Sequence, residues 1–263
     1  MHPNSYSPKT FRHGRLRCHD VTEGSEHETK PLLGIGIGVV AMQDFLFNFV
    51  PKYLPSLLQG AVVTLELCFW SMLAGIAIGL TCAIATIAGG PVARWFVRAY
   101  VSICRGVPLI VILLFFFFIL PDIYIRLPAF WAGVLGLSFN LGAYLSEVFR
   151  AAILAIDGGQ MQAGRSLGLS PFQIYRKIIL PQAMIIAVPT VGGYSISLLK
   201  DCALVSFISV EELLRHGNYI ISATFRTMET YFLVGAIYYV MSMIAAYAVR
   251  SLERRLTPAY LRT

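Results

Sequence analysis

The sequence predicts an all-α integral membrane protein with five transmembrane helices, and three observations carry that prediction. Its 263 residues are 57% hydrophobic and 13% charged, with a mean hydropathy of +0.68, too apolar for an ordinary soluble domain. Five apolar segments reach or nearly reach the roughly 20 residues that carry a helix across about 30 Å of hydrocarbon. None alternates with period two, as the strands of a membrane barrel would.

The elements follow in order. Residues 1–52 are a polar N-terminal extension and lead-in. Positions 1–31 are polar and rich in Pro, Ser, His and Glu, a composition that cannot build a core. Asp20, Glu23, Glu26 and Glu28 dilute the basic charge of a secretory leader, and the apolar stretch 32–41 is short of a span. The sequence from Met42 reads equally well as a natural start, in which case positions 1–41 are a mis-called upstream extension. The transmembrane domain occupies 53–256, with apolar segments at 57–88, 99–120, 130–156, 178–199 and 231–249. Residues 257–263 close the chain as a cytoplasmic tail.

The formal charge of +7 fits cytoplasmic loops of a membrane protein better than a nucleic-acid surface. Arg94 and Arg98, then Arg165, Arg176 and Lys177, then Arg250, Arg254 and Arg255 fall in alternate connections, which places those connections and the C-terminus in the cytoplasm. The turn 121–128 and the longer segment 200–229, with Asp201, Glu211, Glu212 and Glu229, then lie outside. Lys9, Arg12, Arg15 and Arg17 fit an outside N-terminus poorly, which again favours a start at Met42.

Five dispersed cysteines without a C-x-x-C pair give no disulfide framework or structural zinc site. Four of the five histidines lie in the N-terminal tail, leaving His216 alone in the body of the chain, so no metal centre is expected in the membrane. No G-x-S-x-G elbow or intramembrane histidine equips an enzyme, and no catalytic residue is assigned.

The cytoplasmic connection 162–183 is the most informative stretch. Gly168 can end one helix in the left-handed conformation. Ser170 then caps the next, with Pro171 at its first position and Gln173 completing a capping box. Leu167, Leu169, Phe172 and Tyr175 supply apolar contacts, and Pro181 sits where the fourth span begins.

The order Gln162-Ala163-Gly164, Gly168, Ile178-x-Leu180-Pro181 resembles the EAA loop of ABC importer permeases, E-A-A-x3-G-x9-I-x-L-P. Spacing agrees throughout, while Gln162 replaces the glutamate and Gly164 the second alanine. GAVVTLEL from Gly60, CRGVPLIV from Cys104, AYLSEVFRAAI from Ala143, GGQ from Gly158 and LLKDCALVSFISVEEL from Leu198 narrow the resemblance to the polar amino-acid, histidine/glutamine-type permeases, across most of the chain. The resemblance implies the type I ABC importer permease fold, with the loop as a coupling helix-turn-helix. Gln162, Ala163, Gly164, Gly168, Ser170, Pro171, Tyr175, Ile178, Leu180 and Pro181 are its residues here.

The implied partners are a dimer of a cytoplasmic ATPase, an identical or paralogous permease, an extracytoplasmic solute-binding protein and membrane lipid, in a bacterial inner membrane. No nucleic acid is expected. The chain itself takes no cofactor, since no lysine follows a glycine as a phosphate-binding loop requires, and ATP belongs to the partner.

Charged side chains in a span usually face a bundle interior or water. Glu66, Arg105, Asn140, Tyr144, Glu147, Lys200 and Asp201 are therefore candidates for the translocation path of a polar amino acid. Asn140, Tyr144 and Glu147 share one helix face. Gly106 and Pro108 permit a break beside Arg105. Bland readings stand beside these: Arg105 snorkels to headgroups, Glu147 pairs with Arg150 and Glu66 sits in solvated surface. The run 115–118 of four phenylalanines reads as lipid contact and packing. The stretch 205–213 reads by resemblance as an external loop or short helix near a binding-protein dock. A secondary amino-acid transporter driven by an ion gradient is the competing function, with Glu66 and Glu147 as ion sites, though no inverted repeat is found.

Overall fold

The computed structural model describes residues 42–124 and 126–256. The extension 1–41, the question of a start at Met42 as it bears on that segment, and the tail 257–263 lie outside the described residues. The chain divides into two units, Met1–Asp44 and Phe45–Thr263, and the second carries the helical domain. Helical order is present at Phe45–Phe49, ahead of position 53.

Nine helices follow among the described residues of this unit. They are α1 (Val50–Ala88), α2 (Pro91–Gly106), α3 (Leu109–Leu114), α4 (Ala129–Leu154), α5 (Gly158–Ser166), α6 (Pro171–Ile174), α7 (Leu180–Asp201), α8 (Leu213–Thr224) and α9 (Thr227–Leu256). Four helical stretches, those carrying α1, α4, α7 and α9, are long and apolar enough to cross a membrane, and the α2–α3 pair adds a fifth if its halves make one span. No strand occurs among the described residues.

Helix α1 packs its buried stripe Leu57, Gly60, Ala61, Thr64, Leu67, Ser71, Gly75, Gly79 and Ala83 inward. The small residues let backbones approach closely: a Cβ added to Gly75 would lie 2.7 Å from Leu141 Cδ2, and one on Gly79 2.7 Å from Leu145 Cβ. Helix α4 thereby nests against α1. Leu67, Leu113, Leu137, Leu145, Cys202, Val205 and Ile208 form the central core. A second cluster, including Leu57, Leu199, Leu213, Leu233 and Val234, joins α1, α7, α8 and α9.

The segment expected as one span at 99–120 is instead broken. Helix α2 stops at Gly106 and α3 leaves at 111° to it. Val107 is extended at φ −102°, ψ 133°, the conformation that a following proline favours, and Pro108 has no N–H with which to continue the ladder. A π-helical turn at Phe115–Ile119 and a short 3-10 turn at Leu120–Ile123 complete the second half.

Of the two expectations for 205–213, external loop or short helix, the short helix is found through Ile208, and the stretch packs inward. Cys202–Ile208 forms a 3-10 turn in the central core, with Cys202, Val205 and Ile208 fully buried, and Glu212 is buried as well. Only Glu211 of the acidic pair is exposed. Apolar spacing at Val205, Ile208 and Val210 accounts for the fold-back, because these residues gain more from packing on α1 and α4 than the segment's charges lose.

Candidate functional site

Two hollows of about 490 Å³ each run end to end along the groove between α4 and α7. The first is lined by Arg105 and Pro108 at the α2–α3 break, Asn140 and Tyr144 of α4, and Tyr194, Ser197 and Asp201 of α7. The second continues past Arg105, Tyr144 and Tyr194 to Glu147 and Thr190, among small apolar residues. The helical repeat builds this surface. Asn140, Tyr144, Glu147 and Ala151 share a face of α4, and Thr190, Tyr194, Ser197 and Asp201 share a face of α7.

The break places Arg105 here. Its guanidinium lies 5.5 Å from the ring centre of Tyr144, a favourable cation–π separation, and the Tyr144 and Tyr194 rings are 5.7 Å apart. Asn140 donates from Nδ2 to the Cys104 carbonyl at 3.0 Å. Arg150 donates to Glu147 Oε2 from Nε at 3.1 Å and from Nη2 at 2.7 Å. The two side chains remain 36% and 39% exposed respectively, so the pair is partly solvated.

Of the seven path candidates, Arg105, Asn140, Tyr144, Glu147 and Asp201 line these hollows. Lys200 does not: it lies in a different hollow, against Tyr238, Tyr239 and Ser242 of α9. Neighbours in a helix point about 100° apart, which separates Lys200 from Asp201. Glu66 is exposed on α1, off its buried stripe. Sequence reasoning missed Tyr194, Ser197 and Thr190, although their spacing from Asp201 at 7, 4 and 11 residues was a readable signal.

It also missed the most buried charge. Glu212 is fully buried at the N-cap of α8 and accepts from Leu214 N at 2.9 Å, Arg215 N at 2.8 Å and Tyr238 Oη at 2.7 Å. Burial, the largest influence, raises its carboxyl above the ordinary carboxylate range, while these hydrogen bonds act in the opposite direction. Leu213 N donates to Thr64 Oγ1 at 3.2 Å, tying the same turn to α1.

At the other end, the connection between α4 and α7 forms the expected helix-turn-helix. Gly168 adopts φ +74°. Gly168 N donates to Arg165 O at 2.9 Å and Leu169 N to Gly164 O at 3.1 Å, the paired bonds of a Schellman stop. Ser170 and Gln173 form the reciprocal capping box, with Pro171 in the first turn. Ile174, fully buried, anchors the corner to Ala152, Ile153 and Ala183. Gln162, Ala163, Pro171 and Pro181 are exposed, and Tyr175, Ile178 and Leu180 half-buried. Leu167 at 78% and Phe172 at 71% exposure stand on the outer surface of the corner. Ile84, Ile87, Phe172, Tyr175 and Leu180 border an apolar hollow of about 340 Å³ beneath it.

Among the described residues no group of three His, Cys, Asp or Glu side chains could hold a metal ion. Membrane-length helices around a groove lined with polar side chains, with a capped helix-turn-helix at one end, define a membrane transport subunit. The chain belongs to the family described as binding-protein-dependent transport system inner membrane component, whose sequence model matches residues 75–258.

Comparison with known proteins agrees. The chain is 37% identical over 214 residues to the probable amino-acid ABC transporter permease protein YckA of Bacillus subtilis (strain 168), covering 81% of this chain and 95% of that protein. It is 35% identical to the glutamine transport system permease protein GlnP of Escherichia coli (strain K12), covering 81% and 98%. A crystal structure of an amino acid ABC transporter with histidines superposes with a TM-score of 0.73 at 36% identity, over 80% of this chain and 98% of that one. The MetNI methionine ABC transporter in an inward-facing form, at 23% identity and TM-score 0.67, covers 79% of this chain and 99% of its own and supports the fold. The family suggested by the loop spacing is thus the family to which the chain belongs, and the chain is a transport component, not an enzyme.

Proposed function

We propose that this chain is the permease of an ATP-driven importer that moves a polar amino acid across a bacterial inner membrane, with its C-terminus in the cytoplasm. The observation that carries the substrate reading is the pair of opposite charges lining one hollow, Arg105 and Asp201, with Tyr144, Asn140 and Ser197 between them. A guanidinium suits the carboxylate of a free amino acid and a carboxylate its ammonium. Relatives named for glutamine and amino-acid transport support the same class.

The energy comes from outside the chain. The helix-turn-helix, with Leu167 and Phe172 exposed beside Arg165 and Arg176, is the surface offered to a dimeric cytoplasmic ATPase that binds the ATP. A second permease, identical or paralogous, and an extracytoplasmic solute-binding protein complete the assembly. Gln162, Ala163, Gly164, Gly168, Ser170, Pro171, Tyr175, Ile178, Leu180 and Pro181 make and hold the coupling corner. Arg105, Asn140, Tyr144, Glu147 and Asp201 line the path.

The test is uptake of radiolabelled glutamine, histidine and arginine into proteoliposomes containing the assembled transporter and its binding protein. Uptake of at least one that requires ATP and survives collapse of ion gradients is expected. Uptake driven by a proton or sodium gradient without ATP would replace this reading with the ion-coupled one.

A further inference from the structure

The two hollows share three residues, Arg105, Tyr144 and Tyr194. These three are also in contact as a series: guanidinium on Tyr144 at 5.5 Å, and Tyr144 on Tyr194 at 5.7 Å. They come from three separate elements, α2, α4 and α7. The polar groups therefore fall into two chambers, one holding Asn140, Ser197 and Asp201, the other Glu147 and Thr190, with an aromatic and cationic partition between. We infer that Arg105, Tyr144 and Tyr194 form a gate across the path, which opens where α4 and α7 part. This inference rests on the transport reading above.

Tyr144 and Tyr194 stand on α4 and α7, the two helices that the coupling corner joins. From Pro171 to Asp201 the chain is helical without interruption, through α6, a π-helical turn at Tyr175–Ile179 and α7. Leu180 to Tyr194 spans about 21 Å of helix, so the corner and the ring share one rod with a bend point between them. Pro189 lies within that rod, five residues before Tyr194. It removes one hydrogen bond of the ladder, which makes this the place where the rod bends most easily. Gly193 has no neighbour within 4 Å of where a Cβ would stand, leaving room on that side of Tyr194. Tyr144 sits on α4, whose backbone is packed on α1 by the close approaches at Gly75 and Gly79. Arg105 is fixed by the break that Asn140 braces. Helix α7 is held in turn to α9, where a Cβ on Gly192 would collide with Val249, so the gate opens by separation of α4 from α7.

The substrate passes from the Asp201 chamber to the Glu147 chamber only when the Tyr144–Tyr194 contact opens. In the resting state the closed partition prevents leakage. The Tyr144–Tyr194 contact contributes on the order of 1 kcal/mol, enough to bias the gate closed and weak enough for ATP-driven movement to open it.

The experiment uses proteoliposomes of the whole assembly, with glutamine, histidine or arginine as probe, whichever the wild type accumulates with ATP. Efflux of preloaded probe is followed without ATP. Tyr194→Ala should raise this leak about fivefold, the size expected for losing one ring contact of that strength, and lower the amount accumulated per ATP. Tyr194→Phe, which keeps the ring, should hold the leak at the wild-type level. A Tyr194→Ala assembly that retains its ATPase and stays as tight as wild type overturns the gate while leaving the transport reading intact. Wild type that accumulates none of the probes with ATP overturns both.

If Tyr194→Ala fails to assemble, Tyr144→Cys/Tyr194→Cys in a chain whose native cysteines are replaced by serine decides the question. Bridging the two thiols with a short bifunctional reagent should stop uptake, and reversal should restore it. Undiminished uptake by the bridged protein overturns the gate.

Discussion

The side-chain amide of Asn140 donates to the main-chain oxygen of Cys104 at 3.0 Å, and that oxygen is the one whose helical donor would be residue 108. Position 108 is proline, so α4 supplies the hydrogen bond that α2 cannot. The broken span is thereby held by a side chain from its neighbour, and Arg105, next in sequence, is held with it.

Asn140→Leu leaves this buried carbonyl without a donor. A loss of about 1–3 kcal/mol is expected, read as a lower unfolding temperature of the purified assembly in lipid nanodiscs. Uptake should fall further than stability alone explains, because Arg105 loses its fixed position over Tyr144. Unchanged stability would mean that the carbonyl finds another partner.

The buried carboxylate of Glu212 should tune stability with pH. Its folded-state pKa is raised above the ordinary value by burial. Stability linked to it is therefore fully present below the unfolded value, about 4.3, and is lost as pH rises through the folded one. The unfolding temperature should decline over that rise in wild type and less so in Glu212→Gln. Glu212→Ala leaves Leu214 N, Arg215 N and Tyr238 Oη without their acceptor and should cost roughly 2–4 kcal/mol. A denaturation series over pH checks both.

Gly164, which departs from the alanine of the related loops, is matched by its neighbour. A Cβ there would lie 2.9 Å from Ile174 Cγ1 and 3.1 Å from Cδ1. Gly164→Ala alone should cost about 1–3 kcal/mol by overpacking, and Ile174→Val in the same chain should recover part of it. A double-mutant cycle in thermal stability measures the coupling; additive effects would place the two residues out of contact.

Glu147→Gln removes a half-exposed ion pair and should change stability by less than about 1 kcal/mol. Its effect belongs to the hollow, since Glu147 and Arg105 are the charged residues that line it and the exchange leaves the positive charge alone. Import of arginine should slow more than import of glutamine in competition uptake. Equal effects on both would take Glu147 out of electrostatic selection.

Local chemistry was legible wherever a short stretch decides its own structure. Ser170, Pro171, Gln173 and Gly168 cap and stop helices by themselves, and the loop folds as they dictate. Gly106 and Pro108 permitted the break, but its 111° angle depends on Asn140 and the packing of α3, which lie elsewhere in the chain. Glu66 and Asp201 look equally anomalous in an apolar sequence. Only the pairing of α1 with α4 decides that the Glu66 face points outward, and the glycine stripe carried that signal. Glu212, beside Glu211, read as a solvated pair because its acceptors' partners, Tyr238 and the turn at 214–215, are brought to it by tertiary structure. Tyr194 was passed over because an uncharged aromatic in a span is ordinarily packing.

The central claim is that this permease is driven through its helix-turn-helix by a separate ATPase. Co-purification of the ATPase with the wild-type chain and with Gly168→Asp tests it most directly, since φ +74° at this position penalises any side chain. The account predicts that wild type retains an ATPase whose hydrolysis is stimulated by amino acid and binding protein, and that Gly168→Asp loses association or stimulation while the spans stay folded. A wild-type chain that is intact in the membrane yet holds no ATPase would contradict it.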